Sequence, residues 1–244
     1  KFFVPVHLYG HALDAERLAR LIAESSVQVV EDCAQACGAS SRGTPVGATG
    51  RVAATSFYPT KNLGAMGDGG ALLTRDPEIQ SIAASLRDYG QTAKYVHARL
   101  GLNSRLDEVQ AAILRTALLP RLARFTKRRS AIADAYRGSI SNSALQIPPV
   151  PEGSASVWHL FPVLVQGSRE AFMAHLERAK IASAIHYPAL IPDQAALQSV
   201  KIERLDPLEN AARFARAEVS LPLHPYLGDE DVQRVIDACN DWKP

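Results

Sequence analysis

Apolar residues in the first part of the chain change between strand-like and helix-like spacing. "FFVPV" at residues 2–6 reads as a buried strand, and "VQVVED" at 27–32 is a short β-branched run that ends in two acids. Between them, "DAERLARLIAES" at 14–25 has helical spacing, with Asp14 placed to cap its start. Strand, helix and strand in this order predict a parallel sheet with a right-handed crossover.

The rest of the chain predicts two groups of elements, one before and one after a proline- and serine-rich connection. Strands are predicted at 53–57 and 69–74, a helix at 76–90, and a nearly continuous helix from 105 to about 136 that breaks at Pro120. After a proline- and serine-rich connection, we predict a strand at 157–165, a helix at 168–180, a strand at 181–187 and a closing helix at 228–241. The expectation is an α/β protein with a mainly parallel sheet domain at 1–120, followed by a linking helix and a small α+β domain at 121–244.

Composition and charge exclude several classes of function. The 244 residues are 47% hydrophobic and 21% charged with a net charge of +2, which is typical of a globular protein and favours neither nucleic acid nor an anionic membrane. The basic run at 121–129 is interpreted as one solvated face of a helix. No apolar stretch approaches the ~20 residues of a membrane span. Cys33, Cys37 and Cys239 form neither a disulfide framework nor a zinc spacing, so a cytoplasmic location is expected.

The candidate catalytic residues lie at or after the carboxyl ends of two predicted strands. Glu31 and Asp32 stand at the carboxyl end of a strand, where open parallel sheets bind ligands. Lys61 lies in "TSFYPTKNLGAMGDGGALLT" at 55–74, between a strand and a glycine cluster. A lysine becomes a nucleophile when its pKa is lowered or when it is condensed with an aldehyde. Pyridoxal phosphate enzymes need such a lysine and an aspartate that keeps the pyridine nitrogen protonated, so Lys61 and Asp32 are the natural pair.

Each remaining feature of this segment has a second interpretation. Ser56 is suited to bind a phosphate oxygen, but a hydroxyl that caps the turn is an equal alternative. Gly64, Gly67, Gly69 and Gly70 match no Walker pattern, because the lysine precedes them. We expect these glycines to supply positive-φ turns that close the loop around the lysine.

Three motifs together carry a resemblance. "VVEDCAQACGA", "TSFYPTKNLGAMGDGGALLT" and "GLNSRLDEVQAAILR", in this order, resemble the DegT/DnrJ/EryC1/StrS sugar aminotransferases, which are pyridoxal phosphate enzymes of fold type I, like aspartate aminotransferase. The resemblance implies that Lys61 binds pyridoxal 5′-phosphate covalently. It also implies that Asp32 contacts the pyridine nitrogen, Gln35 the phenolic oxygen and Ser56 the phosphate. Asn103 is implied to reach the phosphate in the other subunit of a homodimer.

The resemblance extends to the substrate class. "DYGQTAKYVH" and "IHYP" are similar to the branch that aminates the 3-keto group of dTDP-linked 6-deoxyhexoses. The resemblance implies glutamate as the amino donor, and it implies that Tyr89, His186 and Tyr187 face the sugar nucleotide. A packing role for these three side chains is the alternative, and His159 in "VWHLFP" is interpreted as structural. The N-terminal part of the family fold is expected to be absent. The alternatives are an enzyme for another ketosugar position or a cyclitol, or a catalytically silent partner subunit.

Overall fold

The structure is a computed structural model that describes residues 1–244. Its strands are β1 Phe2–Phe3, β2 Gln28–Asp32, β3 Ser40–Ser41, β4 Thr44–Pro45, β5 Val52–Ser56, β6 Gly70–Thr74, β7 Gln91–Ala93, β8 Val96–His97, β9 Leu145–Gln146, β10 Ser154–Ala155, β11 Phe161–Val165 and β12 Glu218–Leu221. Its α-helices are α1 Ala15–Glu24, α2 Pro77–Leu86, α3 Glu108–Ile113, α4 Leu122–Ser139, α5 Arg169–Arg178, α6 Glu209–Ala217 and α7 Asp229–Asp241. None of the helices combines the length and apolar character needed to cross a bilayer.

The chain divides into two compact units. Unit 1 comprises residues 1–127 and 150–159, and unit 2 comprises residues 128–149 and 160–244. The predicted domains at 1–120 and 121–244 stay a prediction.

Unit 1 is built on a four-stranded sheet in the order β1-β2-β5-β6. The first three strands are parallel, and β6 returns antiparallel to β5. Helix α1 crosses between β1 and β2, and the side chain of Asp14 accepts hydrogen bonds from Glu16 N and Arg17 N, which confirms the predicted cap. Because β2 and β5 are parallel neighbours, their carboxyl ends lie at the same edge of the sheet.

The first predicted strand is shorter and more exposed than its sequence suggests. The prediction of a buried strand at residues 2–6 is wrong, because only Phe2–Phe3 pairs as a strand and Phe2 is 77% exposed. Pro5 lacks the N–H that a continuous ladder requires, and after it only Val6 forms a bridge, with Asp32.

The long helical region before unit 2 is interrupted as its sequence predicts. Helix α3 passes into a π-helical stretch at Leu114–Leu118 and a 3₁₀ turn at Leu119–Arg121 that contains Pro120. Proline cannot donate the helical hydrogen bond, so the turn resets the helix before α4 begins at Leu122.

Unit 2 packs helices against a three-stranded sheet in the order β12-β11-β9. All five residues of β11 are buried, and the ring of Tyr136 meets that of Phe161 edge-on at 5.0 Å. The prediction of a strand at 181–187 is wrong, since this segment makes only an isolated bridge between Ala184 and Ser220. Strand β12, which pairs with one edge of β11 and follows α6, was not predicted.

Candidate active site

Asp32 is the last residue of β2, and both its backbone and its carboxylate make hydrogen bonds. Its N–H donates to Pro5 O at 2.9 Å, and its carbonyl accepts from His7 N at 3.0 Å. Its side-chain Oδ1 accepts from Ala34 N at 2.9 Å, so the carboxylate closes the turn that follows the strand. Asp32 is half-buried, as a group that meets a ligand at the sheet edge must be.

Glu31, one residue earlier, is directed to the other face and is buried at 1% exposure. Its carboxylate accepts a hydrogen bond from His7 Nε2 at 2.9 Å and three from the backbone N–H groups of Gly47, Thr49 and Gly50 at 2.6–3.0 Å. Burial opposes ionisation of Glu31, but these four hydrogen bonds outweigh it and lower its pKa to about 2. Glu31 therefore anchors the 47–50 loop to β2.

The ligand atoms of His7, Glu31 and Cys33 lie within 4.8 Å of one another, which raises the question of a metal site. His7 Nδ1 accepts from Leu13 N at 3.0 Å, so the ring is neutral and its Nε2 carries the proton donated to Glu31. Burial, with the charges of Glu31 and Asp32, raises the pKa of Cys33 to about 12. The His7 imidazole and the Glu31 carboxylate already make hydrogen bonds within the fold, and the Cys33 thiol is protonated. The cluster is therefore structural.

The segment that carries Lys61 is a closed loop between β5 and β6. Phe57 N donates to Gly69 O at 2.8 Å and Ala65 N to Phe57 O at 2.7 Å, which tie both ends together. Lys61 N donates to Tyr58 O at 2.9 Å in the turn at its tip. The backbone of the loop is thereby fixed on either side of the lysine.

Apolar packing also holds the loop between β5 and β6 in place. Leu63 and Ala65 are buried together with Leu114, from the helical region before α4. Lys61, two residues before this cluster, is half-buried.

The glycines of the loop act through close approach and not through positive φ. The expectation of positive φ at Gly64, Gly67, Gly69 and Gly70 is wrong, since none has φ in the left-handed region. A Cβ at Gly64 would lie 2.4 Å from Pro59 O, and one at Gly70 would lie 2.7 Å from Thr55 O. These positions require glycine because backbone passes against backbone there.

Gly64→Ala is therefore expected to destabilise the protein by about 1–3 kcal/mol, because the turn must open to admit the methyl group. Urea unfolding at constant protein concentration measures the change. Gly138→Ala is the matched control, because a Cβ at that position in α4 meets nothing within 4 Å. Equal midpoints for Gly64→Ala and the unsubstituted protein would contradict the argument from close approach.

Lys61 and Asp32 act on each other electrostatically. Burial lowers the pKa of Lys61, and the negative charge of Asp32 partly opposes this. An amine with a lowered pKa has more of the unprotonated form that attacks a carbonyl carbon. The Lys61 amine thus lies within the electrostatic influence of the carboxylate with which the sequence pairs it.

The side chains of Ser56 and Gln35 both accept hydrogen bonds from the backbone. Ser56 Oγ accepts from Tyr58 N at 3.1 Å, so the turn-capping interaction is present. Gln35 is buried, and its Oε1 accepts from Tyr9 N at 2.7 Å. A phenolate oxygen requires a donor, so the atom of Gln35 suited to it is Nε2.

Tyr89 and Asn103 lie close together on the surface of unit 1. Tyr89 N donates to Leu102 O at 2.9 Å, and Asp88 forms a bridge with Asn103. The guanidinium of Arg105 lies 5.4 Å from the centre of the Tyr89 ring. Both Tyr89 and Asn103 are exposed.

His186 and Tyr187 belong to unit 2, where buried polar groups hold the histidine. His186 N donates to Glu218 Oε2 at 2.5 Å, and its Nδ1 lies 2.9 Å from Ser220 Oγ. Ser220 Oγ donates to Glu218 Oε1 at 2.5 Å. Burial raises the pKa of Glu218. Tyr187 is 52% exposed, with its ring edge-on to that of His186.

Sequence reasoning overlooked Asn62 and assigned His159 to packing. Asn62 Nδ2 donates to Val157 O at 2.8 Å, and its Oδ1 lies 3.1 Å from His159 Nδ1. The only local signal is a polar residue next to Lys61 in a loop otherwise rich in small and apolar residues.

Comparison with known proteins supplies a family. The model of the DegT/DnrJ/EryC1/StrS aminotransferase family matches residues 1–240. The dTDP-3-amino-3,4,6-trideoxy-alpha-D-glucose transaminase of Streptomyces venezuelae is 42% identical over 240 residues, which are 98% of this chain and 62% of the relative. The dTDP-3-amino-3,6-dideoxy-alpha-D-galactopyranose transaminase of Aneurinibacillus thermoaerophilus is 42% identical over 242 residues, which are 99% of this chain and 65% of the relative.

A solved structure gives the same result for the fold. The crystal structure of S. venezuelae DesV in complex with a ketimine intermediate matches with a TM-score of 0.92 at 41% identity, over 99% of this chain and 65% of that one. The expected α/β fold, that of type I pyridoxal phosphate-dependent transferases, is confirmed. The chain spans less than two thirds of the length of these relatives.

Proposed function

Because the chain belongs to the DegT/DnrJ/EryC1/StrS aminotransferase family, we propose that the protein is a pyridoxal phosphate-dependent sugar aminotransferase. It transfers an amino group from an amino acid, glutamate by family analogy, to a keto group of a nucleotide-linked deoxysugar. The observation that carries the proposal is the pair at the carboxyl edge of β2 and β5. Lys61 has a pKa lowered by burial, and the charge of Asp32 acts on it.

The residues of this edge fit the cofactor by their chemistry. Pyridoxal phosphate, when bound, supplies an electron sink for charge that develops beside the transferred nitrogen. Lys61 offers an amine for covalent attachment and, once displaced, a base that moves a proton at the substrate carbon. Asp32 offers a carboxylate that keeps a ring nitrogen protonated. Ser56 offers a hydroxyl to the phosphate, and Gln35 offers its Nε2 to the phenolic oxygen.

The first test of this proposal is covalent capture. Purified protein incubated with pyridoxal phosphate and then reduced with borohydride is expected to carry the cofactor on the peptide that contains Lys61, as found by mass spectrometry. A protein that remains unlabelled would favour a catalytically silent partner subunit.

We further propose that the acceptor is the 3-keto group of a dTDP-linked 6-deoxyhexose. The two relatives described above are named as transaminases of dTDP-3-amino sugars, which supports this position of the keto group. Tyr89, His186 and Tyr187 are assigned to the sugar or its diphosphate, and Tyr89 and Tyr187 have the exposed rings that such contacts need. Mass spectrometry of the products from a panel of nucleotide ketosugars tests the assignment.

Asp32→Asn is expected to lower the rate of the half-reaction with glutamate by at least about a hundredfold, because a neutral amide does not keep the ring nitrogen protonated. Asparagine retains the oxygen that accepts from Ala34 N, so the fold is expected to persist. Single-turnover absorbance measurements give the rate. Asp134→Asn, at a carboxylate that is 72% exposed in α4, is the control. A rate for Asp32→Asn within about threefold of the unsubstituted protein would remove Asp32 from the mechanism.

The active unit is proposed to be a homodimer with shared sites. Asn103 is exposed, and in this proposal it reaches the phosphate held by the other subunit. Sedimentation of the purified protein, together with restoration of activity on mixing Lys61 and Asn103 variants, tests the sharing. A cytoplasmic location is also proposed, since Cys33, Cys37 and Cys239 are free thiols.

A further inference from the structure

Asn62, the residue after Lys61, is tied by its side chain to a distant segment of unit 1. Its Nδ2 donates to Val157 O at 2.8 Å, across 95 residues of sequence. Its Oδ1 therefore faces His159 Nδ1 at 3.1 Å. Because an amide oxygen only accepts hydrogen bonds, the proton of this bond is on Nδ1 of His159. Both partners of Asn62 are buried.

The 157–159 segment is itself fixed to the backbone at residues 9–10. Val157 N donates to Gly10 O at 3.0 Å, and His159 N donates to Tyr9 O at 3.0 Å. Gly10 has φ of +91°, and a Cβ there would lie 2.6 Å from His159 N. The two strips of backbone approach so closely that only glycine fits, so His159 has little freedom to move away from Asn62.

Tyr9 connects this arrangement to the turn after Asp32. Its N–H donates to the buried Gln35 Oε1 at 2.7 Å. A continuous path of hydrogen bonds thus runs from Gln35 through Tyr9 and His159 to Asn62. One end is three residues from Asp32, and the other is next to Lys61.

We propose that Asn62 and His159 are positioning residues that hold the Lys61 amine at a fixed place relative to the Asp32 carboxylate. The inference rests on the proposed function, in which both groups act on one small ring. A lysine side chain has four methylene groups, so its amine samples many positions unless the side chain is held. Anchoring the adjacent residue limits the positions that the amine samples. Misplacement by about 1 Å at a reacting centre costs on the order of a hundredfold in rate.

The test separates positioning from simple stabilisation by measuring Lys61 in protein freed of cofactor. Competitive acetylation with acetic anhydride over a range of pH, read by mass spectrometry, gives the titration midpoint of Lys61 relative to the exposed Lys127. In the unsubstituted protein, Lys61 is expected to titrate at the lower pH. In Asn62→Ala and His159→Ala, its midpoint is expected to move up towards that of Lys127. His159→Asn, which retains a donor near the position of Nδ1, is expected to restore part of the shift.

Kinetics provide a second readout. Both alanine variants are expected to lose about 10- to 100-fold in kcat, with KM for the sugar nucleotide changed by less than about threefold. The matched control is Asn240→Ala in unit 2. The side chain of Asn240 makes comparable hydrogen bonds: its Oδ1 accepts from Ser141 N at 2.8 Å, and its Nδ2 donates to Ser139 O at 2.9 Å. None of these bonds connects Asn240 to Lys61.

The proposal is overturned if Asn62→Ala and His159→Ala lower the unfolding temperature as Asn240→Ala does but leave the Lys61 midpoint and kcat unchanged. Should one alanine variant fail to fold, the other gives the same comparison, because each removes one partner of the hydrogen bond between Asn62 and His159. Covalent capture of pyridoxal phosphate by Lys61 tests the proposed function separately, and it does not enter the midpoint measurement.

Discussion

Lys61→Arg is expected to lower the proposed aminotransferase activity by at least about a thousandfold. Arginine preserves the positive charge and most of the stem, but its guanidinium stays protonated and does not attack a carbonyl carbon. The loop that carries the residue is fixed by main-chain bonds of Phe57, Lys61 and Ala65, none of which depends on this side chain. The variant is therefore expected to fold with nearly unchanged stability.

Steady-state turnover with a nucleotide ketosugar and glutamate measures the loss. Borohydride reduction in the presence of pyridoxal phosphate should no longer label the peptide that contains residue 61. Lys127→Arg, at an exposed lysine of the same unit, is the control and is expected to keep full activity. Retention of more than a tenth of the activity by Lys61→Arg would exclude this lysine as the nucleophile.

Glu31→Gln is expected to destabilise the protein by about 3 kcal/mol at neutral pH. The carboxylate accepts hydrogen bonds from His7 and from three backbone amides while it is 1% exposed. An amide in its place directs an N–H group at some of these donors and leaves others buried without an acceptor. The free energy of unfolding in urea measures the change.

The Glu31 carboxylate also makes the free energy of unfolding depend on pH. Its pKa is lowered from 4.5 to about 2 on folding, so the folded state binds its proton less readily than the unfolded state. Its contribution is fully present above about pH 4.5 and is lost as the pH falls towards 2. Glu31→Gln is expected to flatten the stability profile in this window.

Glu152→Gln is the matched control for both measurements. Glu152 pairs with Arg42 at 3.2 Å but is 89% exposed, and ion pairs of this kind contribute about 0–1 kcal/mol. Equal effects of the two substitutions would show that the hydrogen bonds to Glu31 do not stabilise the fold as proposed.

Local sequence signals were sufficient for the elements that carry their own caps and periodicity. Helices α1 and α2 begin at the aspartate caps Asp14 and Asp76, and the chain re-forms its long helix after Pro120 as expected. The strand predictions failed where pairing between distant segments determines whether a strand forms. The β-branched and aromatic run at 181–187 makes one bridge only, whereas Glu218–Leu221, with a charged first residue, is a fully buried strand.

The candidate site was predictable to the same extent. Asp32 and Lys61 follow neighbouring parallel strands, and the sheet brings such ends to one edge. The bond between Gln35 and Tyr9 and the bonds of Asn62 span 26 to 97 residues, so no local pattern indicates them. The prediction of positive φ at Gly64 was wrong for a related reason, since the need for glycine there depends on where the backbone of Pro59 passes.

Unit 1 is discontinuous, because residues 150–159 complete it after residues 128–149 of unit 2. A ribosome therefore releases Asp32 and Lys61 long before it releases Val157 and His159, the two partners of Asn62. Until this returning segment has left the exit tunnel, the nascent chain contains Lys61 and Asn62 but lacks both hydrogen-bond partners of the Asn62 side chain. The hydrogen bonds beside Lys61 can therefore form only late in biosynthesis.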